Sequence, residues 1–228
     1  MNATKNEGKT SELLSAIKIG DIDHAEKLIK KGADVNAKDN YGRTALMYAG
    51  VYGYTELAKM LIEKGADVNA KDGSGVTALM YAGEHEYTEL AKMLIEKGAD
   101  VNAKDNDGRT ALMFAGMDGY IGLAKMLIEK GADVNAKDGS GVTALMYAVM
   151  YGYTELAKML IEKGADVNAK DGSGVTALMY AGVYGYTELA KMLIEKGADV
   201  NATDNYGRTV FDLVSGQTAN LLRRNKHE

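Results

Sequence analysis

The residues able to do acid–base or metal chemistry are few, and their spacing argues against both. The chain has three histidines, His24, His85 and His227, and no cysteine. His85-Glu86-Tyr87-Thr88-Glu89 looks like the start of a zinc-protease helix, but the second histidine is missing. Three histidines this far apart in sequence build no metal cage. His85 and Asp118 hold equivalent places in consecutive copies of a repeated unit, about 10 Å apart at helix-packing spacing, which is too long for a dyad. An enzyme built around His85 with Glu84 or Asp118 is therefore the weakest reading. Gly8-Lys9-Thr10 ends like a phosphate loop, yet Ala3 stands where that loop needs its first glycine. Asn2-Ala3-Thr4 and Asn201-Ala202-Thr203 are formal glycosylation sequons without a secretory context. The expectation is no enzyme, no cofactor and no metal.

What positions these residues is a repeat. Residues 138–170 and 171–203 differ only at Val149/Gly182, Met150/Val183 and Lys170/Thr203. The same 33-residue window begins at Asp39, Asp72 and Asp105, and once more in shortened form at Asp204. A fixed period of this size means stacked supersecondary units, each unable to bury its apolar face alone. Hydrophobic content of 46% suffices for a continuous seam between neighbours. A net charge of −5 without a basic stripe argues against nucleic acid as a partner. No run approaches eighteen apolar residues, so no membrane span is expected. The polar start and the lack of cysteine suit a cytoplasmic protein. The lack of proline and tryptophan marks one unit copied many times.

Residues 1–8 read as a frayed leader, with Thr10 or Ser11 capping a helix from Glu12 to Ile19 and Gly20 ending it. A second helix follows from Asp21 to Lys31, and Lys18, Lys27, Lys30 and Lys31 face outwards, as on an end cap. In the first full unit Asp39-Asn40-Tyr41-Gly42 is turn chemistry, Thr44 caps a short helix over Ala45 to Tyr52, and Gly53 takes a left-handed turn. Thr55 is expected to cap a second helix with Glu56 in its first turn, burying Leu57, Ala58, Leu61 and Ile62. Met47, Met80, Met113, Met146 and Met179 read as core.

These residues resemble the ankyrin repeat. Asp39, Gly42, Thr44, Leu46, Ala49, Gly53, Glu56, Leu61, Gly65, Ala66, Asp67, Val68 and Asn69 fall on its pattern, with their later copies, over roughly residues 11–222. Departures recur: Thr44-Ala45-Leu46-Met47 lacks the proline and histidine of the family's T-P-L-H, Gly50 replaces an alanine, and Tyr54 replaces a histidine. The last unit departs most, with Val210-Phe211-Asp212, and its basic tail at 223–226 reads as a solvated closing cap. The resemblance implies an all-α ankyrin-repeat solenoid of helix-turn-helix units with extended turns, one array over 1–228. It would have an N-terminal cap (1–38), five full repeats (39–71, 72–104, 105–137, 138–170, 171–203) and a C-terminal cap (204–228).

The copies disagree in a few columns: Val51/Glu84/Met117/Met150/Val183, Tyr52/His85/Asp118/Tyr151/Tyr184, the turn column from Tyr41 to Tyr206, and its neighbour from Arg43 to Arg208. The resemblance implies that these turn tips and helix ends line a concave groove that binds partners. A ladder of Tyr48, Tyr81, Phe114, Tyr147 and Tyr180 is expected to be exposed there, where tyrosine suits a paratope. Three places also break a local rule. Glu86 stands in a left-handed glycine column, Ile121-Gly122 replaces Thr-Glu and so removes a cap, and Val149 replaces glycine. The expected partner-binding residues are Tyr52, Tyr81, Glu84, His85, Glu86, Asp107, Arg109, Phe114, Met117, Asp118, Ile121, Val149, Met150 and Tyr151. Apolar groups among carboxylates suit a protein or peptide presenting an apolar knob beside Lys or Arg. The rival reading is a bare or self-associating scaffold, a homodimer included. Near-identity of the copies fits an engineered consensus binder or recently duplicated repeats.

Overall fold

A computed structural model describes residues 2–214 and 218–219, so the tail at 223–226 lies outside the described residues. The chain forms two compact units, 1–106 and 107–228. The first holds α1 (Asn2–Lys18), α2 (Ile22–Lys30), α3 (Ala45–Tyr52), α4 (Thr55–Glu63), α5 (Ala78–Glu84) and α6 (Thr88–Glu96). The second holds α7 (Ala111–Asp118), α8 (Ile121–Glu129), α9 (Ala144–Met150), α10 (Thr154–Glu162), α11 (Ala177–Val183), α12 (Thr187–Glu195) and α13 (Val210–Leu213). Among the described residues the fold is all-helical, built of helix pairs, with a single isolated bridge from Lys170 to Thr176.

Local chemistry explains most boundaries. The hydroxyls of Thr44, Thr77, Thr143 and Thr176 accept from the N–H of the methionine three residues on, closing the first turn of α3, α5, α9 and α11. Gly53 and Gly119 end their helices at φ 73° and 78°, where a Cβ would be strained. The leader differs from expectation: α1 runs unbroken from Asn2, so Thr10 and Ser11 are interior positions rather than caps. A single glycine, Gly8, costs a helix only about 1 kcal/mol and does not end it. Thr55 also differs. It is the first residue of α4, Tyr54 holds the capping position, and no side chain caps α4, α6, α8, α10 or α12.

The core sits where helix pairs meet. Leu57, Ala58, Leu61 and all five methionines of the Met47 column are buried, while Ile62 is only half-buried. Consecutive first helices approach closely: a Cβ on Gly50 would lie 2.7 Å from the Ala78 carbonyl oxygen, and one on Gly116 2.9 Å from that of Ala144. Glycine at 50 and 116 is therefore a packing requirement, whereas between α9 and α11 the same position holds a buried valine, Val149.

Hydrogen bonds between repeats keep the register. In the first unit the Asn36 amide donates to the Gly65 carbonyl (2.8 Å) and accepts from the Asp67 N–H (2.7 Å). In the second, Asn135 does the same with Gly164 and Asp166 (3.0 and 2.7 Å). The turns are pinned as well, by Gly73 N–H to the Tyr41 carbonyl at 2.9 Å and Gly139 N–H to that of Asp107 at 2.7 Å. Asn135→Ala removes two inter-repeat bonds and leaves a helix-end carbonyl unpaired. The expected cost is about 1–2 kcal/mol by urea denaturation, and an unchanged midpoint would show the bridge to be dispensable.

Candidate functional site

The aspartate that opens each turn organises the surface around it. Asp39 Oδ1 accepts from the N–H groups of Tyr41 (2.9 Å) and Arg43 (3.0 Å), while Oδ2 accepts from the Tyr48 hydroxyl (2.6 Å) and the Lys18 ammonium (3.2 Å). Burial opposes ionisation of Asp39, yet these donors, Tyr48 first, outweigh it and hold the pKa at about 2. The tyrosine–aspartate bond recurs at 2.6 Å for Tyr81–Asp72, Tyr147–Asp138 and Tyr180–Asp171. Burial, and then the aspartate, push the phenols of Tyr81, Tyr147 and Tyr180 well above their ordinary value, so they remain donors.

This overturns the reading of the ladder as an exposed paratope. Tyr48 and Tyr81 are 5% and 7% exposed, and their hydroxyls are committed to the protein itself. Phe114, which has no hydroxyl, is half-buried beneath the Arg109 guanidinium, 5.1 Å from its ring centre. Tyr81 is therefore a structural residue. So is Val149, which at 0% exposure is a core residue of α9 in a column that is glycine in the other full repeats. Nor does Ile121 remove a cap, since the threonine it replaces caps nothing in the other copies. What α8 lacks is the first-turn carboxylate that Glu56, Glu89, Glu155 and Glu188 supply to α4, α6, α10 and α12.

In the first unit the remaining expected residues gather where first helices end. Glu84, His85 and Glu86 are exposed in succession, and the His85 ring lies 5.9 Å from that of Tyr87. Glu86 has φ 58°, the one left-handed non-glycine among the described residues. Tyr52 is exposed beside Tyr54, their rings 5.6 Å apart. In the second unit Asp118, Ile121 and Tyr151 are exposed, and Met117 and Met150 are half-buried. Asp107 is paired with Arg109 at 3.1 Å, which takes that carboxylate out of the free acidic set. Sequence comparison of the copies missed Tyr153 and Tyr186, because columns that agree carry no contrast, and it left Tyr184 out of the expected set although its column differs. The Tyr-Gly-Tyr pattern was the available signal, and it gives an exposed aromatic pair at 6.3 Å (Tyr151–Tyr153) and, at 5.9 Å, exposed Tyr184 beside half-buried Tyr186. An open depression lined by Gly152, Thr154, Gly185, Tyr186 and Thr187 adjoins them. Among the described residues no three His, Asp or Glu side chains converge on a metal position, and no helix is long and apolar enough to cross a membrane.

Comparison with known proteins agrees with this geometry. The family described as "Ankyrin repeats (3 copies)" matches residues 1–72, 70–138 and 137–204. A Rickettsia felis protein named for ankyrin repeats is 35% identical over 54 residues, 24% of this chain and 82% of that protein. The crystal structure of the ankyrin repeat domain of Bcl-3, described as a unique member of the IkappaB protein family, superposes with a TM-score of 0.83. It is 28% identical and covers 92% of this chain and 97% of its own.

Two outcomes test the site's energetics. Glu86→Gly removes a left-handed penalty and raises stability by about 1 kcal/mol in urea titration; a loss would mean that the Glu86 side chain is itself stabilising. Asp39 has a folded pKa below its unfolded value near 4, so its contribution is full above about pH 4 and is lost as pH falls towards 2. The stability gap between wild type and Asp39→Asn, open at neutral pH, should close across that window.

Proposed function

The chain belongs to the ankyrin repeat family, and on that footing we propose that it is a non-enzymatic module holding a protein or peptide partner on its turn tips and first-helix ends, the family's concave groove. Ankyrin repeats are in general protein–protein interaction modules. One observation carries the finer reading. Where near-identical copies differ, the differing side chains are mostly exposed or half-buried and lie at turn tips and first-helix ends. Differences without consequence would scatter over all exposed positions, yet the exposed second-helix residues Lys59, Glu63 and Lys64 are the same in every full copy.

The chemistry offered is apolar beside anionic. In the first unit Glu84 and Glu86 flank His85 and precede Tyr87; in the second Met117 and Ile121 stand near Asp118 in sequence, and Met150 and Tyr151 stand at the equivalent end of α9. A partner with a bulky apolar side chain next to Lys or Arg fits both sets. With a net charge of −5, nucleic acid is not the partner proposed.

The test is selection of a displayed random-peptide library against the purified protein. Enriched peptides should pair an aromatic or branched apolar residue with Lys or Arg. Affinity of the best synthetic peptide should fall at least tenfold on Glu84→Lys with Glu86→Lys, or on Met117→Ala with Ile121→Ala. A winner indifferent to both pairs overturns the reading. Sedimentation across concentrations comes first: a 24.4 kDa species throughout keeps the surface free for a foreign partner. A dimer abolished by Ile121→Ala would assign these residues to self-association instead.

A further inference from the structure

In the first unit each Tyr–Asp pair is covered by a cation from the preceding element. The Lys18 ammonium lies 4.5 Å from the centre of the Tyr48 ring and 3.2 Å from Asp39. One repeat on, the Arg43 guanidinium lies 5.2 Å from the Tyr81 ring, with its Nε 3.7 Å from Asp72. Arg43 precedes Tyr81 by the same interval that separates Val142 from Tyr180. In the second unit the Tyr180–Asp171 pair is built identically, with the same 2.6 Å bond and the same two backbone donors, Ser173 and Val175, on Asp171. Valine stands where the arginine would be, and among the described residues no cation lies over Tyr180. Arg208 is engaged elsewhere, forked onto Asp204 at 2.7 and 2.8 Å and lying over Tyr206.

Tyr180 is half-buried, as Tyr147 is, whereas Tyr48 and Tyr81 are buried. Tyr184, one helical turn on, is 52% exposed, and Val183 beside it 55%. A π face next to a carboxylate, with an apolar shelf alongside, is the surface a guanidinium or ammonium recognises.

We propose that Tyr180 and Asp171, with Tyr184, form an open cation seat that takes an arginine side chain of the partner peptide, as the seat over Tyr81 and Asp72 takes Arg43. This deepens the proposed function by naming one recognised group and its place, and it rests on that reading. The occupant is argued from the protein's own geometry: the same pair already holds a guanidinium once in this molecule.

The probe is the tripeptide acetyl-Gly-Arg-Gly-amide, with citrulline as the neutral isostere, titrated into protein carrying labelled tyrosine and followed by ring resonances in NMR. Saturable shifts at Tyr180 and Tyr184 with the arginine peptide, at least fivefold weaker with citrulline, are expected. Val142→Arg should supply the cation from within, shifting Tyr180 in the free protein and abolishing the response. Should that variant fail to fold, Asp171→Asn, which keeps the Oδ1 acceptor, should weaken the response about fivefold. No shift at Tyr180, equal response to citrulline, or full response in Val142→Arg or Asp171→Asn overturns the seat. Glu84→Lys with Glu86→Lys should leave this titration unchanged. A selected peptide that depends on that pair but never shifts Tyr180 would thus sink the seat while the wider reading stands.

Discussion

One asparagine per repeat is the contact on which the architecture depends. A helix ends with carbonyls that have no partner within it, and α4 is no exception. Gly65, just past its end, finds its donor in Asn36 of the preceding unit, and the same amide receives the N–H of Asp67. The ends of α4, α6, α10 and α12 are therefore each completed by the preceding repeat's loop. Insertion of one residue would break both bonds and misplace Gly42, whose Cβ, if it had one, would lie 2.8 Å from the Gly73 nitrogen. The strict period seen in the sequence is the record of that double constraint.

Much of the fold was legible because the rules behind it are local. A threonine before an apolar run, a glycine after it and an aspartate two residues before a tight turn act within four residues, and Thr44, Gly53 and Asp39 behave as their types dictate. Thr55 misled for a physical reason. The left-handed Gly53 carbonyl already receives the Thr55 N–H, so the chain enters α4 through Tyr54 without a side-chain cap. Burial of Tyr81 and Val149 was illegible, since neither is set by its immediate neighbours in sequence: Tyr81 bonds Asp72 nine residues away, and Val149 is buried by packing between helices. Tyrosine reads as surface until its aspartate partner is known. A valine in a glycine column reads as a violation until its full burial between helices is seen.

The binding residues were only partly legible, for a related reason. Comparing copies finds what differs, so it found Glu84, Glu86, Asp118 and Ile121, all of which are exposed. It could not find Tyr153, shared by every full copy yet also exposed. It also counted Asp107 as free acid, although its own Arg109 lies 3.1 Å away. Difference between copies marks where change is tolerated or used; exposure marks what a partner can touch. Only their overlap is evidence for recognition.

Repeat identity finally comes down to a choice at one turn position. Arginine there (Arg43, Arg109, Arg208) spends its charge inside the protein, on a ring and a carboxylate. Valine there leaves the carboxylate satisfied by its phenol and two backbone donors, so the fold survives without the cation. The aspartate is thus overdetermined structurally, and its remaining field is available to a ligand. A side chain that is redundant for folding and exposed on one flank can change occupants without unfolding the array, whereas Asn36 and its copies, with no such redundancy, cannot.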